Sequence, residues 1–508
     1  MKILLLNPSL KIRTSKYTEK IYIRAGSRWP FSVEKFVWES PLYIPFPFFL
    51  AYTAAILLKA NYEVKVLDAV ALDLDEIFIL EKIKHKNPDI ILLETTTLTF
   101  EYDIKLIKKI KQIVPQVIII LTGTHATIFY QDILKNYTEI DFIIRGEYEV
   151  STKILLDCLR QNVSISAKGI YFRKGQQISG EGYSEIINPL DILPIPAREL
   201  FPDDEHPDIF IYKDAFCQYF PSIQMQLSRG CPYRCYFCLW NQVIYRNSPY
   251  RTFSIKRAVD EIEYLVKKYQ LKELYFDDDD FTVKKDYVIN ICKEIIKRNL
   301  NIKWSCMGNA THLDEETIYW MKNAGCIGIK FGVETGDEKL AKTVGKPIDL
   351  EKVKYIAKLL NKYNIKTHAT FTFGLLKETK HSMYKTIEYA KKLAVNSVQF
   401  SICTPYPGTK FYKVLAYKNY LYDYDYSKLN GSSCCSYQYP TVSSKDIEKF
   451  FNKSFRKWLI HKLCQPIWVY KELIMITRIV LFGGFESQKV LLKVIFILLR
   501  RWLLRIVR

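Results

Sequence analysis

Along most of this chain, short apolar runs alternate with longer stretches in which apolar side chains recur every three to four positions. That is the pattern of buried strands separated by amphipathic helices. It begins with KILLLNP (2–8), a helix around 48–60, YEVKVLDA (62–69), a helix around 74–86 and DIILLETTT (89–97). A helix near 102–113, VIIILTGTH (117–125), a short helix and DFIIRGEYEV (141–150) follow, leading into one more helix. Five strands with intervening helices predict a doubly wound, Rossmann-like parallel sheet over residues 1–160. Ligands bind beyond the carboxyl ends of such strands, so one mouth is expected to gather Asn7, Pro8, Thr95, Thr96, Thr97, Gly123, Thr124, His125, Gly146 and Glu147. Turn chemistry alone accounts for any one of them equally well. There is no GxGxxG, which argues against a dinucleotide.

Residues 161–222 are less periodic, and NPLDILPIPARELFPDDEHPD (188–208) reads as a linker. A second alternating series occupies 223–415: IQMQLSRG (223–230), KELYFDDDDF (272–281), NIKWSCMG (301–308), CIGIKFGVETG (326–336), KTHATFTFG (366–374) and SVQFSICTPYPGTKF (397–411), with helices between them. About six βα units predict an α/β partial (β/α)6 barrel, whose chemistry belongs at the carboxyl ends of the strands. The last segment, 416–508, is helical and basic, and departs from both units.

Charge sharpens that division. The chain of 508 residues carries a net charge of +20, and residues 449–508 hold 13 Lys and Arg against 2 Asp and Glu, supplying +11 of it. The basic residues of this tail interleave with aliphatic runs, not with an aromatic stacking platform, so no nucleic acid partner is expected. Helices of this kind either lie in a lipid headgroup region or pack as a cap on the barrel, and both readings stay open. No stretch reaches the length of uninterrupted apolar sequence that spans a bilayer. Twelve irregularly spaced cysteines do not form a disulfide framework, and MKILLLNPSL reads as a buried strand, so a reducing, cytoplasmic setting is expected.

Three of the cysteines stand apart. RGCPYRCYFCLW (229–240) places Cys231, Cys235 and Cys238 in one loop after a strand. A tetrahedral structural zinc site needs four ligands, whereas an iron–sulfur cubane held by three leaves one iron open. CPYRCYFC resembles the signature of the radical S-adenosylmethionine (SAM) enzymes. The resemblance implies that the three cysteines hold a [4Fe–4S] cluster, that SAM chelates the fourth iron, and that reductive cleavage yields a 5′-deoxyadenosyl radical. It also implies a reductant such as flavodoxin or ferredoxin. Within the loop, Phe237 and its neighbour Tyr236 are candidates to shield the cluster and cover an adenine, although aromatic residues more often pack in a core.

Four carboxylates at one strand end, Asp277 to Asp280, repel one another and call for a cation. They resemble the family's acidic motif for the SAM ammonium, with Asp278 or Asp279 as the expected contact. FGVETG (331–336) resembles the ribose-binding GxESG, which carries that role to Glu334; Thr335 replaces serine. TFGLLKET (372–379) departs from the usual GLPGET, while TPYPGT (404–409) keeps its pattern. PLYIPFPFFLAYTAAILLKANYEVKVLDA (41–69), TGTHAT (122–127) and IDFIIRGEYEV (140–150), with LDILPIPARELF (190–201), resemble the cobalamin-binding (B12) domain of the cobalamin-dependent radical SAM class. No DxHxxG is present, so the resemblance implies cobalamin without a protein histidine on cobalt.

The expected function is modification of an unactivated carbon in a hydrophobic or lipid substrate, by methylation, cyclisation or coupling. One alternative is a radical SAM enzyme whose first domain does not bind cobalamin. Another is a membrane-docked metal or cobalamin carrier without catalytic activity.

Overall fold

A computed structural model describes residues 1–482 apart from 29, 40, 42, 432 and 433, together with 488 and 492. Two parallel sheets organise it. In the first, Lys2–Asn7 lies between Glu63–Asp68 and Ile90–Glu94, and Ile118–Thr122 and Phe142–Ile144 continue outward in parallel. The chain therefore reverses its winding at Lys2–Asn7, the switch point where the strand ends open a crevice. Helices Phe48–Lys59, Glu76–Lys86, Phe100–Ile113, Thr124–Asn136 and Glu149–Gln161 cover the sheet, as the periodicity predicts.

The sheet runs past the boundary expected at residue 160. Ile170–Lys174 and Gln177–Ser179 add two antiparallel strands at its far edge. A second difference lies between the first strand and the first helix, where Lys11–Arg13, Thr18–Ile23 and Phe31–Phe36 form a separate antiparallel sheet. Its strands are studded with lysine, threonine and glutamate, so they carry no apolar run to find.

The second sheet has six parallel strands in sequence order: Ser222–Met225, Glu273–Phe276, Lys303–Gly308, Cys326–Glu334, Lys366–Phe373 and Ser397–Ile402. This is the expected open barrel. One apolar core runs from Leu5 and Leu50 in the first unit through Trp240 and Phe253 to Phe276 and Phe371 in the barrel, so the two units share an interior.

The tail begins as a cap. Helix Ser444–Leu463 packs on the last barrel strand and on helix Lys380–Lys392. Trp458 Nε1 donates to Ala390 O at 3.2 Å, and Lys462 Nζ donates to Leu393 O at 2.8 Å. Helix Pro466–Phe482 follows, and among the described residues no helix is long and apolar enough to cross a membrane. The basic apolar segment 489–508 lies, but for residue 492, outside the described residues.

Candidate active site

The three-cysteine loop hangs from the two-residue strand Ser228–Arg229, which pairs with Arg251–Thr252, and closes into helix Leu239–Val243. Two side-chain amides at the start of that helix hold the loop's carbonyls. Asn241 Nδ2 donates to Cys231 O (3.2 Å) and Tyr233 O (2.9 Å). Gln242 Nε2 donates to Cys235 O, Tyr236 O and Cys238 O at 3.1, 3.1 and 2.9 Å. From the other side, Arg234 N donates to Gly345 O at 2.9 Å. Gly345 has φ +97°, and a Cβ there would stand 2.3 Å from Arg234 O, so only glycine permits this close approach.

All three thiols are free and partly buried. Burial pushes Cys235 up to about 11, Cys238 up to about 12, and Cys231 upward as well. Backbone amides of Tyr233 and Asn241 oppose this at Cys231 and Cys238. Among the described residues no three His, Cys, Asp or Glu side chains converge to clasp a single metal ion. Ligands on separate irons of a cubane need not converge.

The acidic strand end packs directly beneath this loop. Asp278 Oδ1 accepts from Leu227 N at 2.9 Å and from Ser228 Oγ at 2.7 Å, while its Oδ2 is buried without a partner. Burial pushes Asp278 up to about 7. Asp279 Oδ2 accepts from Gly230 N at 2.9 Å, one residue before Cys231. Asp277 pairs with Arg28, and Asp280 faces His312, with Nδ1 and Oδ2 3.3 Å apart.

Glu334 stands at the end of its strand at φ +67°. Its Oε1 lies 2.6 Å from Lys346 Nζ, and its Oε2 accepts from Thr372 Oγ1 at 3.1 Å. Lys346 also donates to Gly332 O at 2.9 Å. Its charge favours the Cys235 thiolate. Phe237 is half-buried and edge-on to Tyr236, with ring centroids 5.4 Å apart. Tyr236 itself is a core residue whose hydroxyl accepts from Leu376 N.

At the mouth of the first sheet, Asn7 Nδ2 donates to Asp68 Oδ1 at 2.7 Å, Pro8 O faces Arg24, and Thr96 and Thr99 share a hydroxyl contact at 3.0 Å. Gly123 has φ +95°, and a Cβ there would lie 2.4 Å from Thr95 O. Thr124 Oγ1 and Asn7 Oδ1 are buried without partners. The His125 ring lies between Phe100 and Phe129 at centroid distances of 4.2 and 4.6 Å, with Nδ1 3.2 Å from Thr97 Oγ1. Burial lowers its pKa to about 3, leaving it neutral.

Gly146 N donates to Thr127 Oγ1 at 3.2 Å. Glu147 turns toward the barrel instead of outward. Its carboxylate takes Arg251 at 2.9 and 3.0 Å and faces Arg229 at 3.4 Å, while Arg229 lies 2.6 Å from Glu149. Arg229 is two residues from Cys231, so these buried pairs tie the first mouth to the cysteine loop.

The radical SAM superfamily matches residues 225–390 and the B12 binding domain matches residues 35–156. An uncharacterized methyltransferase of Pyrococcus horikoshii is 30% identical over 75% of this chain and 81% of its own length. The chain belongs to the cobalamin-binding radical SAM family. The anaerobic magnesium-protoporphyrin IX monomethyl ester cyclase of Rubrivivax gelatinosus is 28% identical over 75% of this chain and 68% of its own. Among solved structures, the cobalamin-dependent SAM radical enzyme OxsB shares the fold with a TM-score of 0.65 at 14% identity, covering 97% of this chain and 83% of that one. The radical SAM methyltransferase TsrM from Kitasatospora setae gives 0.62 at 16% identity, over 82% and 76%.

This cobalamin-dependent radical SAM enzyme uses a [4Fe–4S] cluster, SAM and cobalamin, and it needs a reductant. Its residues fit those groups. Three free thiols in a loop whose carbonyls are tied back, and whose amides point at two of the sulfurs, suit an iron–sulfur cluster. A corrin rim carries neutral amides, and the mouth offers one hydroxyl, of Thr124, and one amide oxygen, of Asn7, with unused hydrogen-bonding capacity. The sequence reading missed Arg28, Lys346, Asn241 and Gln242. The acidic run did signal a missing cation, and NQ directly after the motif was the visible trace of the two amides.

Proposed function

We propose that this enzyme methylates, cyclises or couples an unactivated carbon of a hydrophobic substrate met at a lipid surface. The bound cofactors would supply the radical and, for methylation, the methyl group, and the chain's residues position them. The Asp279 carboxylate, less buried than its three neighbours, takes the SAM ammonium, while Asp278 anchors the loop through Leu227 and Ser228. Glu334, oriented by Lys346 and Thr372, takes the ribose hydroxyls. Phe237 borders the adenine. Asn7, Pro8, Thr96, Gly123, Thr124 and Gly146 border the cobalamin, and His125, neutral and enclosed, leaves the cobalt without a protein histidine. Two relatives, an uncharacterized methyltransferase and a magnesium-protoporphyrin IX monomethyl ester cyclase, support methylation or cyclisation.

The observation that carries the lipid setting is the outer face of helix Pro466–Phe482. Ile467, Tyr470, Leu473 and Leu481 are 74, 66, 56 and 66% exposed there, in the strongly basic tail. Such a face suits shallow burial among anionic headgroups. The test supplies the reconstituted enzyme with methyl-deuterated SAM, a reductant and phosphatidylglycerol vesicles loaded with a cellular lipid extract. Flotation with the vesicles and a new labelled or SAM-dependent product in the lipid phase are expected. A product confined to the aqueous phase, or no flotation, contradicts the reading.

A further inference from the structure

Residues 9–47 leave the first sheet, form their own small antiparallel sheet, and then cross to the barrel. Their return path is pinned there: Gln224 on the first barrel strand accepts from Phe46 N at 2.7 Å and donates to Ile44 O at 3.0 Å. Upstream of those anchors the excursion brings Arg28 to the second barrel strand's acidic end. Arg28 Nη2 lies 2.7 Å from Asp277 Oδ1, Nη1 donates to Asp277 O at 3.0 Å, and Nε stands 3.8 Å from Asp279 Oδ1. Among the described residues, no other lysine or arginine pairs with the four aspartates, although His312 faces Asp280. Only 16% of the Arg28 side chain and 4% of the Asp277 side chain reach solvent, so water screens the contact weakly.

The contact continues to the cluster loop. Asp279 Oδ1 faces Arg28 Nε, and its Oδ2 accepts from Gly230 N, immediately before Cys231.

We infer that Arg28, a residue of the excursion between the first strand and the first helix, is a positioning residue that fixes the acidic strand end against the three-cysteine loop and makes the cluster easier to reduce. A reduced cluster is more negative than an oxidised one, and a fixed cation in a poorly screened site stabilises it. Reduction is thereby tied to the seating of residues 9–47. This goes beyond the proposed function and holds whichever substrate is modified.

The test is a redox titration of the reconstituted holoenzyme, followed by electron paramagnetic resonance, with iron and cobalt contents measured on each sample. Arg28→Gln is expected to keep the cluster but lower its midpoint, cutting the reduced-to-oxidised ratio roughly tenfold at a fixed potential, about 59 mV for a one-electron couple. Arg28→Lys should restore most of the shift. Asp277→Asn, which removes the nearer of the two carboxylates facing the guanidinium, should move the midpoint the other way, and the Arg28→Gln/Asp277→Asn double variant should return near the parent value. A role in shape alone would not give opposite shifts that cancel. Should Arg28→Gln fail to fold or to hold iron, the Asp277→Asn and double variants still decide. Midpoints that do not respond to either charge overturn the inference.

Discussion

Lys346 Nζ sits 2.6 Å from Glu334 Oε1, joining the strand that ends at Glu334 to the turn that props the cysteine loop. Only 11 and 12% of the two side chains are exposed, so neither charge is well solvated alone. Lys346→Met therefore strands a carboxylate and should cost about 3 kcal/mol of stability. SAM affinity should fall at least tenfold, with Lys346→Arg retaining more of it. Equilibrium dialysis of SAM and thermal unfolding of the reconstituted protein check this.

Gln242 holds three carbonyls of the cysteine loop with one amide nitrogen, and its Oε1 accepts from Lys410 N. Gln242→Leu removes the donor while keeping the bulk. The expected result is a folded chain, with unchanged far-ultraviolet circular dichroism, that retains less than half of the parent's iron after reconstitution and desalting. Full iron retention would show that the loop closes without this amide.

Gly123 and His125 make contrasting predictions. Gly123→Ala forces a Cβ against Thr95 O and should abolish cobalamin retention by displacing the start of helix Thr124–Asn136. His125→Phe should leave the electron paramagnetic resonance spectrum of bound cob(II)alamin unchanged. A histidine splitting in the parent that vanishes in the variant would contradict the placement of His125 between Phe100 and Phe129.

Glu378 shapes the pH dependence of stability. Its Oε2 accepts from Leu375 N at 2.9 Å and from Gly374 N, its Oε1 is buried without a partner, and burial raises its pKa from 4.5 to about 8. Between those values the folded chain holds a proton that the unfolded chain has released. This contribution is fully present below pH 4.5 and is lost as pH rises through about 8. Glu378→Gln should flatten the decline of Tm between pH 5 and pH 8.5, by an amount on the order of 3 kcal/mol at the upper end. Parallel declines in the two proteins would refute it.

Periodicity exposed the first sheet because strands such as KILLLN are buried on both faces and read as apolar runs, and the barrel because strands such as Cys326–Glu334 and Ser397–Ile402 alternate buried with half-buried or exposed positions. It missed Thr18–Ile23 and its partners, whose polar residues alternate on a small outlying sheet. At the site, the cysteine spacing was legible because Cys231, Cys235 and Cys238 all fall within one short loop. Arg28 was not, since its partner Asp277 lies 249 residues away and no local spacing encodes that pairing. Glu147 follows the strand Phe142–Ile144, but its partners Arg229 and Arg251 belong to the other unit, and only the packed structure shows the carboxylate turned toward them.

The most direct test of the account is anaerobic reconstitution with iron, sulfide and hydroxocobalamin, removal of unbound cofactor, and one assay of iron, cobalt and 5′-deoxyadenosine after reduction with SAM. Near-stoichiometric cobalt together with deoxyadenosine formation that disappears in Cys235→Ala is the expected result. Iron and deoxyadenosine with no retained cobalt would contradict it, leaving a radical SAM enzyme whose first domain only shapes the pocket.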